Sequence, residues 1–200
     1  LGHSAGALAG GQTEAGLDSA TKHFWRLDLA AEEGQWEKLP PWPGPERAFN
    51  QMVAQHNGRE MCLYLFGGRR QDAEVEGIEG IIPLSDVYEF SPARHRSASA
   101  EAWRKRTPSP KPIMAGTAAP IGQSHFFVVG HADGEGLKKI AADPEFVKNH
   151  TGFPKRAWAY HTITDTWIDG FWYLDQLGSH ARAGVNGCGE KSFAKIQIKT

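Results

Sequence analysis

Arginine is the residue type whose placement in this chain most suggests chemistry. Arg47 follows the turn Pro43-Gly44-Pro45, Arg69 and Arg70 directly follow Gly67-Gly68, and Arg156 closes the string Gly152-Phe153-Pro154-Lys155-Arg156. A guanidinium held at a loop mouth offers a planar fork of donors that matches a carboxylate in two parallel hydrogen bonds. Each of these arginines also has a plainer reading as a solvated loop charge. Gln123 and His125 flank the start of an apolar strand and could donate to ligand hydroxyls. His125 reads equally as a hydrogen-bonded structural imidazole. The nine histidines show no zinc-binding spacing backed by cysteines, and Cys62 and Cys188 cannot supply a metal cage, so neither metal nor cofactor is expected. Gly134-Glu135-Gly136 lacks the strand-turn-helix setting and the lysine of a phosphate loop.

Composition limits what can position these groups. Two hundred residues with 40% hydrophobic content suffice for one or two small domains with a real core. The balance of 22 Lys+Arg against 23 Asp+Glu lacks the basic excess of a nucleic-acid binder. The cluster Arg94, Arg96, Arg104, Lys105, Arg106 and Lys111, with only Glu101 set against it, reads as a solvated turn face. The longest apolar run, Met61 to Phe66, falls far short of the roughly 20 residues of a membrane helix, so no membrane span is expected. The opening Leu1-Gly2-His3 carries no signal-peptide pattern, and the compartment stays open. With 23 Gly, 12 Pro, 10 Phe and 7 Trp, the chain reads as all-β, with short strands joined by turns.

A pattern occurs three times: an apolar run closing on glycine, a strand bearing an aromatic, then a tryptophan. The first copy has Gly10-Gly11, Phe24-Trp25-Arg26-Leu27-Asp28-Leu29 and Trp36. The second has Met61 to Phe66 closing on Gly67-Gly68, then Asp86-Val87-Tyr88-Glu89-Phe90 and Trp103. The third has Phe126-Phe127-Val128-Val129 closing on Gly130-His131, then Trp158-Ala159-Tyr160-His161 and Trp167. Gly67 to Trp103 spans 36 residues and Gly130 to Trp167 spans 37, a regularity that composition alone does not produce. The Trp-to-Trp period of 64 to 67 exceeds the ~50 of a kelch repeat, and the polar insertions 69–85 and 132–155 account for the excess. One four-stranded blade cannot bury both faces alone, so the expected fold is a kelch-type β-propeller. A plain two-layer β-sandwich is the rival arrangement.

The strings Pro40-Pro41-Trp42-Pro43-Gly44-Pro45-Glu46-Arg47 and Leu63-Tyr64-Leu65-Phe66-Gly67-Gly68 resemble the kelch repeats of the bacterial sialic-acid mutarotases, the N-acetylneuraminate epimerases. Gly122-Gln123-Ser124-His125-Phe126, the Gly152 to Arg156 string and Ala159-Tyr160-His161-Thr162-Ile163-Thr164-Asp165-Thr166-Trp167 resemble the cyclically permuted branch of that family. The resemblance covers about residues 10 to 170. It implies a six-bladed ring, of which residues 1–170 supply about three blades, roughly half. The tail 171–200 departs from the pattern, and reads either as a diverged blade or as foreign sequence from a truncated or frame-shifted frame.

The implied activity is an isomerase reaction on a small sugar acid: the ring hemiketal opens at the anomeric carbon and closes on the other face. This needs proton transfer and no cofactor. The resemblance implies Arg47, Arg69, Gln123, His125 and Arg156 as substrate-binding candidates. Glu190, in Gly189-Glu190, is the position matching the family's acid/base glutamate, although residue 196 is isoleucine where the family has arginine. Leu137 to His150 reads as a short inserted helix over the propeller mouth, and both insertions are expected on the sugar-binding side. The alternatives are a non-catalytic kelch module that binds a protein partner or a glycan through its loops, or an inactive fragment. A periplasmic location is implied only by the family.

Overall fold

A computed structural model describes residues 5–97, 101–149, 154 and 156–169. Glycine and proline punctuate the chain so often that the described strands are only three to six residues long, and most pair with the next strand along. The first sheet is the meander β1 (Ala5–Ala9), β2 (Phe24–Asp28) and β3 (Gln35–Leu39). The second joins β4 (Gln51–His56), β5 (Met61–Phe66), β8 (Val87–Phe90) and β9 (Trp103–Arg106). The third joins β10 (Thr117–Ile121), β11 (His125–Val129), β12 (Trp158–His161) and β13 (Thr166–Asp169). All pairings are antiparallel.

The middle sheet decides the architecture. Side chains alternate across a strand. Leu65, Tyr88, Phe90 and Trp103 meet Phe24, Leu39 and Trp42 on one face. Cys62, Tyr64, Phe66 and Val87 meet Ile113, Phe126, Val128, Trp158 and Tyr160 on the other. A sheet buried on both faces needs three layers, which the two-layer sandwich cannot supply. At the inner edge, β4 and β10 approach each other, and Ala115 N donates to Phe49 O at 3.0 Å. The sheets therefore stack as propeller blades with converging inner strands.

The glycine and tryptophan pattern has a repeated physical cause. Gly11 N donates to Arg47 O at 2.9 Å, and Gly68 N, at the equivalent place, donates to Ile113 O at 2.7 Å. Both bonds join one blade to the strand entering the next. A Cβ on Gly67 (φ 63°) would lie 2.1 Å from Ile113 O, so only glycine fits that approach. The tryptophans are register equivalents: Trp36 opposes Leu27, Trp103 opposes Phe90 and Trp167 opposes Tyr160. Trp103 Nε1 donates to Pro40 O at 2.9 Å and Trp167 Nε1 to Thr107 O at 3.0 Å. Each acceptor is the first residue after the preceding blade's outer strand. Trp36, in the first sheet, is 55% exposed.

Glu89 corrects the reading of the basic cluster as a solvated face. Its fully buried carboxylate accepts from Arg94 NH2 at 3.1 Å, from Arg106 Nε at 3.0 Å and from the Tyr64 hydroxyl at 3.1 Å. Two of the six basic residues thus clamp β9 and helix α1 (Pro92–Ser97) to the β8 carboxylate. Burial raises the Glu89 pKa, but the bonds from Arg106, Arg94 and Tyr64 outweigh it and hold the carboxyl below its ordinary value.

The insertions are built, not formless. In 69–85, β6 (Arg69–Gln71) pairs with β7 (Ile81–Pro83) as a ribbon. In 132–155, helix α2 (Glu135–Ala142) is followed by a 3-10 segment, Pro144–Asn149. The expected helix begins two residues earlier than its sequence reading and breaks at Pro144, whose ring cannot continue an α-helix. His150 lies outside the described residues.

Candidate functional site at the glycine-pair end

Strand direction sorts the candidate residues onto two ends of the blades. The starts of β4, β8, β10 and β12 and the ends of β5 and β11 share one end, which carries Gly67-Gly68 and Gly130. Arg47, Arg69 and Arg156 lie there, together with both insertions. Gln123 and His125 lie at the other end, because β11 begins at His125 and reaches Gly130 only after about 17 Å at ~3.4 Å per residue. The five binding candidates therefore do not share one mouth. That division was legible: the apolar run ending at Gly130 starts at His125.

Arg47 is fully buried, and its fork is already engaged. NH1 and NH2 donate to Asp86 Oδ1 and Oδ2 at 2.9 and 2.7 Å, and NH1 also donates to Gly67 O at 3.0 Å. The guanidinium lies 5.3 Å from the Trp42 ring and 5.4 Å from Tyr88. Burial, then the Asp86 charge, push the Tyr88 phenol up to about 12. The arginine expected to reach a channel ligand has its fork engaged by Asp86, 39 residues along the chain. Sequence spacing gave no sign of that pairing.

Arg69 sits differently. It opens the ribbon, is 1% exposed, donates to Gln12 Oε1 and lies 5.6 Å from the Phe49 ring. Burial lowers its pKa from the ordinary value, and arginine remains charged at neutral pH regardless. Its backbone is fixed by reciprocal bonds with Ala48 at 3.0 and 2.8 Å. Arg69 also lines a cleft of about 380 Å³ with Phe49, Met114 and Ala115 on the inner edge, Ile78 and Ile81 on the ribbon, and Leu137 and Ile140 on α2. Phe49 (φ 56°) and Ala115 (φ 54°) are non-glycine residues in the left-handed region. Each stands two residues before an inner strand, and such conformations cost about 1 kcal/mol or more and concentrate at functional sites.

His131 follows Gly130 where the third apolar run closes. It is 3% exposed, and its Nε2 accepts from Trp158 Nε1 at 3.0 Å. That bond leaves the neutral ring's proton on Nδ1, which is buried without a hydrogen-bond partner among the described residues. Burial lowers the His131 pKa, so the ring is a neutral N–H donor at pH 7. Arg156 is exposed at the same end, with its guanidinium 5.2 Å from the Trp158 ring.

At the opposite end, Gln123 is exposed and lines a cleft of about 630 Å³ with Gln55, His56, Met61 and Pro120. His125 faces His161 across the strand pair, with ring centroids 4.4 Å apart. Burial first, then the His161 charge, lower its pKa. Glu190, Cys188 and the whole tail 171–200 lie outside the described residues. Among the described residues no three His, Cys, Asp or Glu side chains gather as a metal site. Cys62 is a free core thiol pushed up to about 12, chiefly by burial and then by Glu89. No helix among them is long and apolar enough to cross a membrane.

No family model matches the chain. An N-acetylneuraminate epimerase of Haemophilus influenzae (strain PittEE) is 32% identical over 127 residues, which is 62% of this chain and 30% of that protein. An N-acetylneuraminate epimerase of Salmonella typhi is 23% identical over 198 residues, 90% of this chain and 47% of that protein. The chain thus spans about half the length, or less, of these curated relatives. The solved structure of YjhT superposes with a TM-score of 0.57 at 18% identity, over 82% of this chain and 52% of that one, a likeness of fold. In sequence this chain is similar to the N-acetylneuraminate epimerases, the same family its glycine and tryptophan strings resemble.

Proposed function

We propose that the protein acts as a sugar-acid isomerase of the N-acetylneuraminate epimerase kind, with its ligand at the glycine-pair end. The observation that carries this reading is Arg69: a buried guanidinium in the wall of a cleft formed by blade turns and two insertions. A charged fork in a partly dry cleft suits the carboxylate of a sugar acid. Arg156 and the uncommitted Nδ1–H of His131 stand at the same end. The relatives named as epimerases supply the reaction class.

In that reaction a base removes the anomeric hydroxyl proton as the bond from the anomeric carbon to the ring oxygen breaks, and an acid protonates that oxygen. The open keto acid then recloses on the other face with the proton transfers reversed. One carboxylate of suitable pKa, with water, can serve both steps. We assign that role to Glu190, within a permuted six-bladed ring.

One-dimensional exchange NMR on N-acetylneuraminate tests the reading. The intact, folded protein is expected to accelerate anomer exchange well above the spontaneous rate. Glu190→Gln is expected to remove the acceleration, and Arg69→Met to raise KM while sparing most of kcat. Failure of the intact protein to accelerate exchange would end the isomerase reading and leave a binding module.

A further inference from the structure

We infer that His125 and His161 form a two-histidine site for a divalent transition-metal ion on the third sheet, at the end away from the glycine pairs. The inference is independent of the cleft beside Arg69, and no spacing motif marks it, because only strand pairing brings the two residues together.

His125 on β11 and His161 on β12 stand directly opposite each other. In the neighbouring pair Thr162 N donates to Ser124 O at 2.8 Å, so His125 and His161 form a non-hydrogen-bonded pair, the arrangement that sets opposed side chains closest. Their ring centroids are 4.4 Å apart, with the planes at 58°. Two ligands on a tetrahedral zinc ion stand about 3.3 Å apart when each bond is ~2.0 Å long. Rings at this separation reach that spacing by turning about χ2, a soft torsion in histidine.

Each ring has one oriented nitrogen and one open nitrogen. His161 Nδ1 lies 2.6 Å from Thr164 Oγ1, which lies 2.7 Å from Thr166 Oγ1. His125 Nδ1 lies 3.5 Å from Ser124 Oγ. No hydrogen bond among the described residues reaches either Nε2, and neither Nε2 is sealed from water. A metal-bound imidazole keeps one N–H, and a partner for that N–H fixes the ring and raises the basicity of the ligating nitrogen. In the free protein Thr164 N donates to His161 Nδ1 at 3.1 Å, so the neutral ring's proton sits on Nε2. When an ion takes Nε2 that proton passes to Nδ1, which then donates to Thr164 Oγ1, and Thr164 Oγ1 donates in turn to Thr166 Oγ1. Imidazole ligands suit zinc, copper and nickel, whereas magnesium and calcium take oxygen ligands. With two protein ligands the remaining positions go to water, and the ion stays open on one side.

The test adds Zn(II) to the intact, metal-free protein carrying nitrogen-15 in its histidines and follows the ring nitrogens by NMR. The Nε2 resonances of His125 and His161 are expected to move together with a single midpoint, while His23, His56 and His95 stay in place and Mg(II) at the same concentration moves none of them. Thr164→Val should weaken zinc by about tenfold, a loss that two opposed rings without a threonine partner would not show. His125→Gln should abolish the response of His161 at the parent midpoint, and His161→Gln should do the same to His125. His125→Gln touches no bond of the β11–β12 ladder, and it decides the matter alone should His161→Gln fail to fold. Separate midpoints for the two rings, shifts no larger than those of His23 or His56, a midpoint for one ring unchanged by removal of the other, or no shift at millimolar Zn(II) would overturn the site. An unmoved midpoint in Thr164→Val would overturn the positioning role of that threonine.

Discussion

The two ends of the blades are built from the same strands yet organise their charge in opposite ways. At the end away from the glycine pairs, Glu89 draws two arginines and a tyrosine inward as framework. At the glycine-pair end one arginine, Arg47, is consumed by Asp86, while a second, Arg69, is set into the wall of a cleft. The lesson concerns arginines rather than carboxylates. A guanidinium buried against a strand carboxylate serves the framework, and the one in the cleft wall is the one we propose meets a ligand.

The largest effect that sharpens this contrast should come from Glu89→Gln. Removing that charge leaves two guanidinium groups partly buried without their counter-ion, and a loss of about 3–5 kcal/mol is expected in denaturant unfolding. The pH dependence follows from the depressed Glu89 pKa. Its stabilisation is fully present above the unfolded value of about 4.3 and is lost as the pH falls through the lower folded value. The parent protein should hold its stability down to about pH 5 and lose it below about pH 4, and the variant should lack that component.

Next in size is the glycine comparison. Gly67→Ala drives a Cβ against Ile113 O and should cost about 3 kcal/mol or more. Gly122, with a similar φ of 58° and nothing within 4 Å, should tolerate alanine for about 1 kcal/mol. Equal costs would mean that the blade-to-blade approach at the glycine-pair end is not what demands glycine there.

Ligand binding separates the ends more directly. Arg69→Met is expected to weaken N-acetylneuraminate roughly ten- to a hundredfold, the range of a lost charge-assisted pair. Gln123→Ala and His125→Ala should stay within about twofold. A smaller effect tests the repeat: Trp103→Phe loses the bond to Pro40 O and should cost about 1 kcal/mol, whereas Trp36→Phe should change stability by less than about 0.5 kcal/mol. Thermal or denaturant unfolding reads both.

Much of the fold was legible because its devices are local. Gly67-Gly68 and Trp103 are required by backbone approach and by an indole donor, and both recur at fixed distances along the chain. The all-β class and the insertions at 69–85 and 132–155 follow from the same counting. The site was less legible because its decisive facts are long-range. Asp86 meets Arg47 across 39 residues, and no spacing rule connects them. Glu89 looked like an ordinary strand residue, so Arg94 and Arg106 looked solvated. His131 read only as the residue after Gly130, and its tautomer depends on Trp158, 27 residues away.

The central claim is that a sugar acid binds at the glycine-pair end, against Arg69. An NMR titration of the intact, isotope-labelled protein with N-acetylneuraminate tests it most directly. Shifts concentrated on Phe49, Arg69, Ala115 and Ile140, with Gln123 and His125 unmoved, are the predicted result. Shifts centred on Gln123, His125 and His161, or none at saturating sugar, would contradict it.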